Sequence, residues 1–356
     1  MTASVDRREV LAERLVGQLV GAMNLFCVYL GVELGLYVHL RTPLTAPELA
    51  KAAGIAPRYA REWLEQQYAS GLVDCEDPSL PEDARRYSLS AEHAEVLSDP
   101  DSPFYLGAHS TQLAGIARVI PALVQAFRDG SGVPYAAYGQ EIRRGIAAGN
   151  RPMFLHELGS SWLPSIPAVD ERLRKQPAAT VLDLGCGLGA SSLAIARAYP
   201  DVRVIGVDLD ADSIAEAAAS TGDLADRITF VAGSAVGLPE GPFELVTIFE
   251  ALHDMGDPVS VLRAARSVLA PGGAVLVADE RVADTFGPGA DLVERLNYAY
   301  SVLHCLPATL AEAPVEANGT VLRAPTVRRW AASAGLECEV LPIENDFWRF
   351  YLLRPT

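Results

Sequence analysis

The 356-residue chain predicts an α/β fold, a parallel sheet covered by helices on both faces and preceded by a helical, winged-helix segment. Three observations predict it. From Thr180 onward, short apolar strands alternate with helical stretches, which is the pattern of a parallel sheet. A glycine turn, Asp183-Leu184-Gly185-Cys186-Gly187-Leu188-Gly189, joins the first of those strands to a helix. Between Thr45 and Leu89 the order is helix, turn, helix, then hairpin.

Composition narrows the function classes. Half of the residues are hydrophobic, enough for a large core without disulfide or metal staples. With 29 basic against 45 acidic residues the formal charge is -16. Such a chain repels nucleic-acid phosphate and anionic membrane, so neither is expected as a main partner. Cys27, Cys75, Cys186, Cys305 and Cys338 are odd in number, widely spaced and without a CxxC pair. That argues against a disulfide framework and a structural zinc site, and no compact metal-ligand cluster stands out along the sequence. The length suggests two or three domains. The pattern places a helical winged-helix domain at 1–95, a helical connecting region at 96–170 and the sheet domain at 171–356.

The elements follow in order. Met1 to Val10 carries charges and lacks the layout of a signal peptide, and a cytoplasmic protein is expected. Val10 to about Tyr37 reads as helix. Its apolar part, Leu19 to Leu40, is interrupted by Asn24, Glu33 and His39 and falls short of the roughly 18 apolar residues of a membrane span, so a buried or intersubunit helix is expected. Thr45-Ala46-Pro47-Glu48 has the cap, proline and third-position glutamate of a helix start, and Gly54 closes that helix. Ala56-Pro57-Arg58 opens the next, which carries Trp63 and Leu64. Leu72-Val73 and Tyr87-Ser88-Leu89 are expected as short strands. Residues 96–110 read as a linker, Thr111 to Arg128 as a helix broken near Pro121, Val133 to Asn150 as a loop with short helical pieces, and Met153 to Leu173 as interrupted helix.

The sheet domain is then expected as strands at Val181–Leu184, Val202–Val207, Ile228–Val231, Phe243–Phe249 and Ala274–Ala278. Helices are expected at Ser191–Tyr199, Ile214–Ala219 and Val259–Leu269. Glu337 to Ile343 and Phe347 to Leu353 form an antiparallel hairpin at the end.

The glycine turn has two readings. Glycines let the backbone pass close to a ligand, and a helix N-terminus offers unpaired N–H groups. Gly185-x-Gly187-x-x-Ala190 loosely satisfies the dinucleotide fingerprint, which leaves an NAD-dependent oxidoreductase open. Asp183, two residues before the first glycine, suits a cationic ligand better than a pyrophosphate. Asp208, at the end of the next strand, suits the ribose of either cofactor. Further on, Val231-Ala232-Gly233-Ser234-Ala235 and Phe249-Glu250-Ala251-Leu252-His253-Asp254 end two strands. Leu269-Ala270-Pro271-Gly272-Gly273-Ala274 turns into the next.

This run of ordered motifs resembles the class I S-adenosylmethionine-dependent methyltransferases over residues 171 to 356. The resemblance implies a Rossmann-like sheet of seven strands with the last antiparallel, and S-adenosyl-L-methionine as cofactor. It implies that Gly185, Gly187 and Gly189 line the methionine part, with Asp183 near its amino group. Asp208 takes the ribose and Leu209 lies against the adenine. Ser234 and Ala235 meet the adenine edge, where many members carry aspartate at the Ser234 position. Phe249 and Glu250 complete the cofactor set. Glu250 has two readings, a contact to the cofactor's amino end or a solvated strand-end carboxylate. The helical winged-helix segment resembles that of small-molecule O-methyltransferases, which implies a homodimer through the N-terminal helices. More narrowly, Arg58-Tyr59-Ala60-Arg61-Glu62-Trp63-Leu64 and Asp346-Phe347-Trp348-Arg349-Phe350-Tyr351 are similar to an actinobacterial winged-helix methyltransferase group.

The chemistry expected of such a site is removal of a proton from the acceptor as a methyl group is moved in line. His253 is the leading general base, since it follows the fourth strand at the carboxyl edge where ligands bind. His253-Asp254 resembles the His-Asp-Trp segment of O-methyltransferases, with Met255 in place of the tryptophan; a structural histidine is the other reading. Tyr298, Tyr300 and His304, on an inserted helix, are expected at the substrate. Tyr300 and His304 are four apart and share a face, which serves a pocket or ordinary helix packing. The winged helix raises a cofactor-binding transcriptional regulator as an alternative. Residues 1–95 hold 9 basic and 14 acidic side chains, the wrong sign for a groove reader. The expected function is methylation of a small, partly apolar molecule, at a hydroxyl oxygen.

Overall fold

The structure is a computed structural model that describes residues 6–175 and 177–356. Residues 1–5 of the charged amino-terminal stretch, and the part of the first domain they would form, lie outside the described residues. The chain divides into two compact units, Met1–Gly115 with Arg144–Pro152, and Ile116–Arg143 with Met153–Thr356. The stretch read as a connecting region is split between the units, because two long helices each contribute residues to both.

The first unit opens with α1 (Arg7–Glu33), α2 (Leu36–His39), α3 (Ala46–Ala53) and α4 (Pro57–Ala69). Thr45 caps α3 in a full capping box with Glu48, and Gly54 ends it in the left-handed region that glycine accepts without strain. The wing is β1 (Asp74–Cys75) antiparallel to β2 (Tyr87–Ser88), extended by a bridge between Leu44 and Tyr87. The first wing strand starts two residues after the expected Leu72-Val73. The Leu72 N–H donates to the Gln67 carbonyl at 2.9 Å to close α4, so ladder pairing begins later. Next come α5 (Ala91–Leu97), α6 (Gly107–Asp129) and α7 (Gly139–Met153). The expected break at Pro121 does not occur, since α6 runs through it with Val119 and Leu123 buried on either side. The helical pieces expected within the loop at Val133–Asn150 are a 3-10 turn, Tyr135–Tyr138, and α7, which is longer than expected.

The burial expected for the first helix holds only near its end. Gly31 lies so close to Tyr37 and Trp63 that a Cβ would overlap both rings, and Trp63 Nε1 donates to the Cys27 carbonyl at 2.9 Å. Leu15, Val16, Leu19, Val20 and Met23 are more than half exposed within the chain. The helix begins at Arg7, close to the expected Val10. By length and composition its 27 residues are long and apolar enough to cross a membrane, a correction to the shorter reading.

The second unit holds a pi-helical segment (Phe154–Trp162), α8 (Pro167–Leu173), β3 (Thr180–Leu184), α9 (Ala190–Ala198), β4 (Arg203–Asp208) and α10 (Ala211–Ala219). These are followed by β5 (Ile228–Ala232), β6 (Phe243–Phe249), α11 (Pro258–Ser267), β7 (Leu269–Glu280) and α12 (Leu292–Tyr300). A second pi-helical segment (Ser301–Cys305), α13 (Leu306–Leu310), α14 (Ala324–Ser333), β8 (Leu336–Val340) and β9 (Trp348–Pro355) complete it. The seven strands lie in the order β5-β4-β3-β6-β7-β9-β8, parallel except where β9 runs antiparallel to both neighbours. The expected terminal hairpin is this β8–β9 pair. Strand order reverses between β3 and β6, which opens a crevice at their carboxyl ends. One face of the sheet buries Trp162, Ile195, Trp348 and Phe350; the other buries Leu262, Val327 and Trp330.

Candidate functional site

The glycine turn leaves β3 at the crevice. Gly185, Gly187 and Gly189 have φ of 70°, 52° and 80°, a region L side chains rarely adopt. Each glycine has a different reason. A Cβ on Gly185 would stand 2.6 Å from the Ala251 Cβ, and one on Gly189 would overlap the Phe230 ring. At Gly187 nothing lies within 4 Å, so this part of the turn presents bare backbone to open space. Gly187 N–H donates to Asp208 Oδ2 at 2.8 Å, and Asp210 N–H to Oδ1 at 2.9 Å. Asp208 thus sits at the end of β4 directly beside the turn, and burial raises its pKa despite those two bonds.

Asp183 faces inward. Oδ2 accepts from the hydroxyls of Ser191 and Ser192, each at 2.6 Å, and Oδ1 from Thr247 Oγ1 at 2.7 Å. The carboxyl is 1% exposed, and burial raises its pKa against the three donors. It joins β3, α9 and β6 under the turn. Beyond Asp208, Leu209 is 63% exposed and Ser234 is exposed, with its Oγ accepting from Val236 N–H at 3.3 Å. Ala235 is half-buried beside it. Phe249 is buried, its ring 5.6 Å from that of Phe154 in the core. Glu250 has φ 49°, a left-handed backbone held by its N–H donating to the Ala278 carbonyl at 2.8 Å. A non-glycine residue there costs about 1–3 kcal/mol, a strain that functional sites concentrate.

His253 lies on a 3-10 turn, Leu252–Asp254, at the end of β6 and is 2% exposed. Its Nδ1 is 2.8 Å from Asp279 Oδ1 at the end of β7. Because a carboxylate only accepts, this bond puts the proton on Nδ1 and leaves the Nε2 lone pair free in the neutral ring. Asp279, fully buried, also accepts from the backbone N–H groups of His253 at 3.3 Å and Glu280 at 2.9 Å. Asp254 Oδ1 stands 3.4 Å from Nε2. Burial disfavours the imidazolium, but Asp279 and Asp254 more than offset it and hold the His253 pKa well above its ordinary value. The neighbouring Glu280 is 5% exposed, and burial together with Glu250 pushes its pKa well up.

The three aromatic and histidine candidates separate. Burial, and after it the Glu250 carboxylate, raises the Tyr300 phenol pKa. The His304 ring packs edge-on to Tyr138 at 4.8 Å and tilted against Tyr135 at 5.7 Å. Burial lowers the His304 pKa, and its Nε2 is buried without a hydrogen-bond partner among the described residues. Tyr298 turns elsewhere: its hydroxyl accepts from Arg323 Nη2 at 2.8 Å, and Arg323 pairs with Glu294 at 3.2 Å. His304 thus packs against Tyr135 and Tyr138, with Asp254 and His253 among the groups that act on its charge, whereas Tyr298 lies in a separate ion-pair network.

Several residues were missed from sequence. Asp279 orients His253; its signal was an acidic Asp279-Glu280 pair ending an apolar strand. Tyr135 packs its ring against that of His304 at 5.7 Å, and burial, followed by the charges of Asp208, Asp210 and Asp254, raises its phenol pKa. Arg143 binds Asp210 at 3.2 Å and Asp212 at 2.8 Å, fixing the start of α7 to the start of α10.

A methyltransferase-domain family matches residues 175–320, and a family described as Rv2258c-like winged HTH domain matches residues 21–99. The mitomycin biosynthesis 6-O-methyltransferase of Streptomyces lavendulae is 29% identical over 283 residues, covering 76% of this chain and 78% of that protein. The 27-O-demethylrifamycin SV methyltransferase of Amycolatopsis mediterranei is 36% identical over 103 residues, 28% of this chain; the chain spans only 38% of that relative's length. Among solved structures, human N-acetylserotonin methyltransferase in complex with SAM has a TM-score of 0.67 at 20% identity, covering 100% of both chains, a likeness of fold.

Proposed function

Because the chain belongs to the S-adenosylmethionine-dependent methyltransferases with an amino-terminal winged-helix domain, we propose that it methylates a hydroxyl oxygen of a small, partly apolar molecule. The observation that carries the reading is the buried His253–Asp279 pair at 2.8 Å, at the same sheet edge as the glycine turn and Asp208. The bare backbone at Gly187 and the Asp208 carboxylate fit the cofactor, with Leu209, Ser234 and Ala235 beside the adenine and Glu250 toward the amino end. Phe249 supports this edge from the core. Asp183 acts from below, holding the turn through Ser191 and Ser192. S-adenosylmethionine supplies an electrophilic methyl carbon on a sulfonium sulfur.

His253 accepts the hydroxyl proton at Nε2 while Asp279 keeps the other nitrogen protonated and stabilises the imidazolium. Tyr300 and His304 line the acceptor side and, with Tyr135, keep water out. The exposed apolar part of α1 is covered by a second copy of the chain. The winged-helix segment, acidic as a whole, serves this assembly rather than nucleic acid.

The test is calorimetric titration with S-adenosylmethionine, S-adenosylhomocysteine and NAD, followed by incubation with a panel of phenols and alcohols. Binding of the sulfur ligands that is lost in Asp208→Ala, with an O-methyl product by mass, supports the reading. Binding of NAD in place of the sulfur ligands overturns it, as does a product methylated only at nitrogen or carbon.

A further inference from the structure

Cys305 is far from His253 in sequence but adjacent to it in space. One ligand atom each from His253, Asp254 and Cys305 lie within 4.8 Å of one another. His253 and Cys305 are 2% and 6% exposed. Asp254 Oδ1 is buried without a hydrogen-bond partner among the described residues and stands 3.4 Å from His253 Nε2. A tetrahedral ion with bonds of about 2.0–2.3 Å keeps its ligand atoms about 3.3–3.8 Å apart, so the His–Asp edge already has the required length. The other face of the ring is also equipped. His253 Nδ1 bonds to Asp279 at 2.8 Å, the carboxylate–histidine pairing that turns a ring nitrogen toward a metal. The Cys305 thiol also stands 3.4 Å from His304 Nδ1.

We propose that His253, Asp254 and Cys305 form a site for a thiophilic divalent cation of the Zn2+ class, and that its occupancy switches off proton acceptance at His253. The mixed nitrogen, oxygen and sulfur set selects zinc or cobalt over magnesium or calcium. As the metal–sulfur bond forms, the thiol proton passes to solvent. The ion takes the Nε2 lone pair, so a metal-bound His253 cannot be a base. The binding half stands on geometry alone, whereas the inhibitory half rests on the base reading above.

Titration of the metal-free full chain with Co2+ tests the binding half without any substrate. One equivalent is expected to give a thiolate-to-cobalt charge-transfer band that Zn2+ removes. Cys305→Ser and Cys305→Ala should abolish the band, Asp254→Asn should weaken Zn2+ binding tenfold or more, and Asp279→Asn roughly 10–100-fold. Circular dichroism establishes that each variant is folded, and the two cysteine variants check each other. A band that survives in a folded Cys305 variant, or no band with the intact chain, overturns the site. For the inhibitory half, stoichiometric Zn2+ should lower turnover of the accepted phenol or alcohol at least tenfold, and a chelator should restore it. Unchanged turnover with the metal bound overturns that half. If His253→Ala itself keeps full turnover, the base reading has failed, while the cobalt band still decides the metal site.

Discussion

His253 and Asp279 form a pair whose two members have separable effects. The base proposed at His253 must be neutral to act, and the surrounding carboxylates hold the ring's pKa well above its ordinary value. Activity should therefore fall as pH drops through that raised pKa, giving kcat/KM an acid limb above about 6.5, measured with chelator present. Asp279→Asn removes the carboxylate that raises the pKa and fixes the tautomer. The limb should move to lower pH and kcat should fall roughly 10²–10⁴-fold, and an unmoved limb would show that Asp279 does not control the ring. The glycines divide in the same way. Gly189→Ala pushes a methyl into Phe230 at φ 80° and should lower stability by about 2–4 kcal/mol in denaturant unfolding. Gly187→Ala meets nothing within 4 Å, so it should cost only about 1–2 kcal/mol, from its φ of 52° alone. Its larger effect should be weaker binding of S-adenosylhomocysteine by calorimetry. The glycine turn, Asp208 and His253 were legible because strand-end positions are marked by local sequence. Asp279, Tyr135 and Cys305 were not, since each meets His253 or Asp208 only through long-range folding, and periodicity carries no sign of such partners.

At the scale of elements, α1 carries a surface the rest of its unit does not cover. Leu15, Val16, Leu19, Val20 and Met23 stand more than half exposed on a 27-residue helix. Leaving them in water forfeits roughly 1.5–3 kcal/mol for each side chain that could be fully buried, more than enough to drive association. With a second copy as the cover, light scattering should give a dimer mass, and Val16→Glu with Leu19→Glu should give a monomer that remains folded by circular dichroism. A wild-type monomer that partitions into lipid vesicles would assign the helix to a membrane instead. The short elements behind α1 depend on local chemistry that reads directly from sequence. The capping box at Thr45 and the glycine stop at Gly54 are local signals, and the helix they bound is present. The structure departs from expectation at a proline and at a glycine-rich stretch. Pro121 is carried inside α6 by the buried Val119 and Leu123, and Gly139–Met153 is helical although four glycines and asparagines interrupt its pattern. In both cases packing outweighed a propensity of about 1–3 kcal/mol.

At the scale of the whole molecule, burial of acids sets how stability follows pH. Asp183, Asp208 and Glu280 have pKa values raised by burial. Above its ordinary pKa each still holds a proton in the folded state that the unfolded chain has released. The unfolded state then binds fewer protons, and stability falls as pH rises through each folded-state value. His253 adds to the same slope. Its folded pKa is raised, so its contribution is complete below the ordinary histidine value and lost as pH climbs through the raised one. Asp170, Asp257 and Glu316 act in the opposite sense, because hydrogen bonds to Arg174, Ser260 and Arg329 lower their pKa values. Their stabilisation is present above the ordinary carboxylate values and lost as pH falls through the lowered ones. The excess of acidic over basic side chains, -16 in formal charge, adds self-repulsion once all carboxylates are ionised. The two sets together give a maximum within roughly pH 5–8, with Tm declining on both its acid and its alkaline side. Calorimetric scans in metal-free buffers of constant ionic strength check this. In Glu280→Gln the uncharged amide replaces the buried proton carrier, so the decline on the alkaline side should flatten. A wild-type Tm that rises from pH 6 to 9 would mean that these buried carboxyls release their protons within the fold and that the sheet edge stores no proton-linked stability.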